Sequence, residues 1–209
     1  MGGVFVTGTD TGVGKTWVST RVLEELRSRG VRAAGLKPIE CGGRDDARSL
    51  LAASRPGLSL DEVNPVAIEQ PLAPAAVEGA PEIRFEALVE RAERLAADGD
   101  LLVVEGAGGW LVPVDEARTM ADLAVRFGYP VLVVAADRLG VLNHTLLTVR
   151  AIREAGLTVR AVFLNCLDQD EDPSRKTNGR ILQKYLEEIP VIQQDTERLA
   201  SLLLDDEPA

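Results

Sequence analysis

The chain has 209 residues, of which 45% are apolar, 27% charged and 4% aromatic, and it carries a formal net charge of −10. That composition fits a globular domain, and its acidity argues against nucleic-acid or anionic-membrane partners, which reward a basic surface. No apolar run approaches the roughly 18 residues of a membrane span. No secretory pattern opens the sequence, and Cys41 and Cys166 lack metal-ligand spacing, so a cytoplasmic location is expected.

The first apolar run, "GVFVTG" (3–8), predicts a buried strand, and a helical pattern follows near 15–29. The next run, "RAAGLKPI" (32–39), predicts a second strand lying beside the first. A short helical stretch, "ARSLLAAS", follows Asp45 and Asp46. Segment 56–81 holds Pro56, Pro65, Pro71, Pro74 and Pro81 and reads as an insertion over the sheet edge. A helix near 84–98 then leads to the strand "LLVVEG" (101–106) and a helix near 119–128. Strand "VLVVAA" (131–136), a helix near 141–155, strand "VRAVFLN" (159–165) and a helix near 176–188 complete the pattern. Nearly continuous apolar strands alternating with helices predict a three-layer, doubly wound α/β fold with a mostly parallel sheet, as one domain over 1–209. Ligands of such sheets bind beyond the carboxyl ends of the strands.

The strand ends therefore carry the chemistry. "VTGTDTGVGKTW" (6–17) holds the Gly14-Lys15-Thr16 ending of a phosphate-binding loop, with five residues between Gly8 and Gly14 where the standard loop has four. Gly12 and Gly14, flanking Val13, let backbone N–H groups converge on an anion. Lys15 supplies a cation for the β- and γ-phosphates, and the Thr16 hydroxyl is placed to bind Mg²⁺. "LLVVEGAGG" ends a strand in Glu105, as the metal-holding acid of a Walker B strand does, although Asp is usual there. Gly106 to Gly109 follow, and these glycines allow close approach to a phosphate or substrate. A solvated acid at a strand end is the plainer alternative. Asp45 and Asp46 are either first-turn acids of a helix or, for one of them, a further carboxylate on the metal. Lys37 either extends to water or faces the same phosphates as Lys15.

Set side by side, "TGTDTGVGKT" (7–16), "GLKPIECG" (35–42), "VEGAGGWLVP" (104–113), "LGVLNHTLLT" (139–148) and "FLN" (163–165) resemble the dethiobiotin synthetase family. These are phosphate-loop, ATP-dependent ring-closing enzymes of biotin synthesis, and the long loop and strand-end Glu are normal among them. The resemblance implies ATP and Mg²⁺ as cofactors, with Thr16, Asp46 and Glu105 on the metal and the backbone from Gly12 to Thr16 on the phosphates. Trp17 and Gly108 border that nucleotide site. Lys15 and Lys37 would contact both the γ-phosphate and the substrate carbamate, with Thr11 facing the substrate. Asn165 would read the adenine, with Pro190 and Val191 near the base. The substrates implied are 7,8-diaminopelargonic acid and CO₂ or bicarbonate. The far carboxylate of the diamine would rest on Gly140, Val141, Leu142 and Asn143 of a neighbouring subunit, which implies a homodimer with shared sites. Cys41 stands where the family usually has Ser or Thr.

The rival class is a deviant-Walker regulatory or partitioning ATPase, which places a signature lysine five residues before the loop lysine. Asp10 occupies that position here. A cobyric-acid-type synthetase would need a glutaminase domain for which this sequence has no room.

Overall fold

In the computed structural model, which describes residues 2–97, 101–167 and 172–204, the run "GVFVTG" forms β1 (Gly3–Gly8) and feeds helix α1 (Lys15–Ser28). The chain continues through β2 (Ala33–Leu36), β3 (Ile39–Cys41), α2 (Asp45–Ala53), α3 (Leu60–Val63), β4 (Val66–Ile68) and α4 (Phe85–Ala96). Then come β5 (Leu101–Gly109), α5 (Met120–Phe127), β6 (Val131–Ala136), α6 (Val141–Glu154), β7 (Val159–Asn165), α7 (Arg175–Leu186), β8 (Val191–Gln193) and α8 (Thr196–Leu204).

The main sheet has the order β2-β5-β1-β6-β7-β8, with every pairing parallel. Residues alternate between its faces. Phe5, Leu102, Val104 and Val133 pack with Leu88, Leu123 and Ile152 on one side. Val4, Val6, Val103 and Val134 pack with Val22, Leu50 and Leu199 on the other. Each fully buried Leu or Val contributes about 1.5–3 kcal/mol over its exposed form, so both layers of helices are held by the sheet they cover. The expected three-layer, mostly parallel architecture is present.

Two local expectations need correction. The run 32–39 is not one strand: the chain leaves β2 at Leu36, and Pro38, which has no N–H to give a ladder, precedes the separate strand β3. Nor does β2 lie beside β1, because β5 is inserted between them. Segment 56–81 is partly regular, since its β4 pairs in parallel with β3 as a small second sheet. The strand and helix at 191–204 were missed. β8 is only three residues long, too short to show an alternation.

Candidate functional site

Beyond the carboxyl ends of β1 and β5 lies a cavity of about 610 Å³, lined among others by Thr11, Gly12, Lys15, Thr16, Lys37 and Glu40. Cys41, Asp46 and Gly108 line it as well. The loop between β1 and α1 builds its floor. Gly12 and Gly14 sit at φ 73° and 87°, left-handed values that side chains rarely tolerate. At Gly14 an added Cβ would clash with Nδ2 of Asn165. Asn165 itself closes β7, is buried, and donates from Nδ2 to the Val13 carbonyl at 3.0 Å. The loop is thus braced from the far side of β6.

Lys15 opens α1, is buried, and donates to the Asp10 carbonyl at 3.3 Å. Burial and then the nearby Lys37 ammonium push it down to about 8, against the pull of Glu105, Asp46 and Asp10. Thr16 donates to Oε1 of Glu105 at 2.8 Å. Glu105 is wholly buried in β5, level with Val6 of β1. Four residues of β5 then span the space of two on β1, so Gly106 to Gly108 bulge out of the ladder. A Cβ on Gly108 would clash with Val112, 2.7 Å away, and approach Thr11 at 3.5 Å.

Lys37 is the hub. Its Nζ donates to Glu105 Oε1 at 2.6 Å, to Asp46 Oδ2 at 2.8 Å and to the Gly106 carbonyl at 3.5 Å. Burial works against its charge, but Glu105 and Asp46 outweigh it and hold the ammonium well above the ordinary lysine value. Burial also works against the Asp46 carboxylate, and Lys37 and Thr16 more than offset this, keeping it below its usual range. Asp45 is different. Its side chain is 95% exposed and pairs with Arg48, so of the two adjacent acids only Asp46 belongs to the cluster.

Two residues that the sequence did not single out hold this cluster from behind. Asn64, buried beside α3, donates from Nδ2 to the Lys37 carbonyl at 2.8 Å and accepts from Arg44 Nε at 2.9 Å. The Lys37 N–H meanwhile bonds to the Val63 carbonyl. The proline-rich segment therefore clamps the backbone of Lys37. Glu40, in β3, accepts from the Asp46 and Ala47 N–H groups at 2.9 and 3.0 Å. An acid inside an apolar run was the available signal for Glu40. Asn64 gave none.

Other expected residues lie elsewhere. Cys41 is half-buried on the cavity wall, and burial pushes its thiol pKa up. Trp17 is 44% exposed, with Arg21 over its ring. Pro190 precedes β8 and Val191 opens it, paired with Val162. That is three residues short of the end of β7 at Asn165, or roughly 10 Å along a strand. Gln194, whose N–H bonds to the Leu164 carbonyl, is closer to the level of Asn165. Gly140, Val141, Leu142 and Asn143 start α6 and are not among the residues lining this chain's cavity. Gly140, at φ 98°, is the N-cap of α6, which places Asn143 inside its first turn.

The arrangement offers anion-binding amides, two ammonium groups and the Asp46 carboxylate at one end of one cavity, with the Glu105 carboxylate buried against Thr16 and Lys37. The second oxygen of Glu105, Oε2, is buried and has no hydrogen-bond partner. A buried carboxylate oxygen without a partner is costly, and a cation held with Thr16 and Asp46 would satisfy it.

A family model described as an AAA domain matches residues 2–199. The ATP-dependent dethiobiotin synthetase of Akkermansia muciniphila is 39% identical over 188 residues, spanning 88% of each chain. That of an Anaeromyxobacter species is 44% identical, over 91% of this chain and 88% of the relative. Among solved structures, the MinC:MinD cell division protein complex of Aquifex aeolicus superposes with a TM-score of 0.57 at 14% identity. It covers 94% of this chain and 85% of that one, a likeness of fold alone. With these identities sustained over most of its length, the chain belongs to the dethiobiotin synthetase family.

Proposed function

We propose that the chain closes the ureido ring of dethiobiotin from 7,8-diaminopelargonic acid and CO₂, consuming ATP with Mg²⁺. The observation that carries this reading is the pair of buried lysines flanking a phosphate loop, with Lys37 held between Glu105 and Asp46. One substrate amine takes up CO₂ as a carbamate, whose oxygen attacks the γ-phosphate of ATP and releases ADP. The second amine then attacks the activated carbonyl and releases phosphate. The carbamate and the γ-phosphate that must meet here are both anionic, so positioning and charge neutralisation dominate the catalysis.

The amides of Gly12 to Thr16 receive the phosphates, aided by the N-terminus of α1. Lys15 and Lys37 neutralise the carbamate and the γ-phosphate where they meet. Thr11, at the cavity mouth beside Gly108, faces the substrate. Thr16, Asp46 and Glu105 would hold Mg²⁺, which neutralises phosphate charge when bound. Two carboxylates and a hydroxyl leave the remaining positions to phosphate and water, as Mg²⁺ prefers. Asn165 reads the base, and a homodimer brings the start of α6 of a second copy to the diamine's far carboxylate. Leu139, just before that helix start, and Leu147, in the second turn of α6, are 83% and 59% exposed and suit an apolar interface.

The test is product identity. With ¹³C-bicarbonate, the diamine and MgATP, mass spectrometry should find one labelled carbon per dethiobiotin and one ADP per ring. ADP formation without any cyclic urea refutes the reading.

A further inference from the structure

The first turn of α2 has an unusual support. Its N-cap residue, Arg44, makes no side-chain cap bond, and the approach runs through Gly42 and Gly43 at φ 88° and 123°. Both conformations favour glycine and leave this link short of local restraint. A helix start with free N–H groups usually finds a Ser, Thr, Asp or Asn immediately before it. Here the acceptor comes from across the link. Glu40, on β3 and only 5% exposed, gives Oε1 to the Asp46 N–H and Oε2 to the Ala47 N–H. Both carboxylate oxygens are engaged, and the charge faces the positive end of the α2 dipole. The residue so fixed is Asp46, whose Oδ2 accepts from Lys37 at 2.8 Å.

We infer that Glu40 is a positioning residue that sets the first turn of α2, so that the Asp46 carboxylate reaches Lys37 and the metal. The inference rests on the metal-holding role of Asp46 in the function above. Glu40 lines the cavity, yet its engaged oxygens assign it to the helix rather than to substrate. The carboxylate of Asp46 is 43% exposed and rests on this turn for its placement. Without Glu40 the turn samples other positions, and the metal must meet the cost of ordering it.

Hydrogen exchange and metal titration test this on the whole protein. In the metal-free form, Glu40→Ala should speed exchange at the Asp46 and Ala47 amides by about tenfold or more, the loss expected for charge-assisted bonds. Glu40→Gln, which keeps one acceptor oxygen, should fall between Ala and the parent. Glu40→Gln should also raise the Mg²⁺ needed for half-maximal turnover by about fivefold, yet by less than twofold when added to Asp46→Asn, because coupled residues are not additive. Equal penalties in both backgrounds, or unchanged amide exchange in both Glu40 variants, overturn the inference. An Asp46→Asn protein with the parent's metal requirement removes the role of Asp46 itself, and the inference falls with it. The single Asp46→Asn measurement therefore separates the two failures.

Discussion

Nζ of Lys37 lies 2.6 Å from Oε1 of Glu105, and both side chains are shielded from water. Removing one partner of a buried pair leaves a bare charge and typically costs about 3–5 kcal/mol, whereas replacing both can be nearly neutral. Lys37→Met should therefore lower the melting temperature and abolish turnover. Lys37→Met combined with Glu105→Gln should recover most of the stability and none of the activity. Recovery of activity in the double variant would show that the pair is structural.

The two lysines should fail differently. Lys15 sits in the phosphate loop, so Lys15→Ala should weaken ATP binding by at least tenfold as well as stop ring closure, the scale of one charge-assisted contact. Lys37 is tied to the carboxylates, so Lys37→Ala should spare much of the ATP affinity and lose the diamine-dependent step. Exposed Trp17, next to Thr16, is a convenient fluorescence probe for both titrations. Equal, large losses of ATP affinity would refute the separate roles.

Proton linkage gives a pH signature. Lys15 is pushed down to about 8 in the folded protein. A free lysine holds its proton to about 10.4, so between these values the unfolded chain binds more protons and the Lys15 contribution to stability rises with pH. Nucleotide phosphates favour the charged form, so binding in that window takes up a proton. Calorimetry near pH 9 in two buffers of different ionisation enthalpy should find uptake approaching about one proton, and Lys15→Met should abolish it. No buffer dependence in the parent protein would contradict the low value.

Gly14 is constrained twice, by its φ of 87° and by Asn165 pressed against it. Gly14→Ala should destroy nucleotide binding. Asn165→Ala in that background should recover little, because the left-handed backbone remains strained. Substantial recovery, measured with the same fluorescence titration, would make the Asn165 contact the main constraint.

Asn143 is exposed at the third residue of α6, beyond the Gly140 cap, and is free to serve a neighbouring subunit. Asn143→Leu should raise the diamine KM several-fold, the scale of one polar contact, while ATP binding stays unchanged. Sedimentation should show a dimer. A fully active monomer would end the shared-site reading.

The layered fold and the phosphate loop were legible because both are written locally. β1, β5, β6 and β7 are apolar runs, and the glycines and Lys-Thr of the loop follow one of them directly. Glu105 was legible as the acid that closes an apolar run, but it does not end the strand, because the glycines after it let β5 continue to Gly109. The hub was harder to read. Lys37 was expected beside β1, yet it reaches Glu105 because β5 is inserted between β1 and β2, a matter of strand order that periodicity does not encode. Asp45 and Asp46 are chemically alike in the sequence. What separates them is which side of the first turn faces Lys37, and that turn is held by Glu40 across two glycines. Asn64 acts through the fold of a proline-rich segment with no periodic signal. The levels of Pro190 and Val191 depended on the register of the short strand β8, which only the paired structure supplies.

The proposed reaction requires a commitment of γ-phosphate transfer to the carbamate held between Lys15 and Lys37. It is tested most directly by steady-state ADP release with Mg²⁺ and bicarbonate, with and without 7,8-diaminopelargonic acid. ADP release should require the diamine and fall to background when it is omitted. A rate unchanged by omitting the diamine would contradict the account.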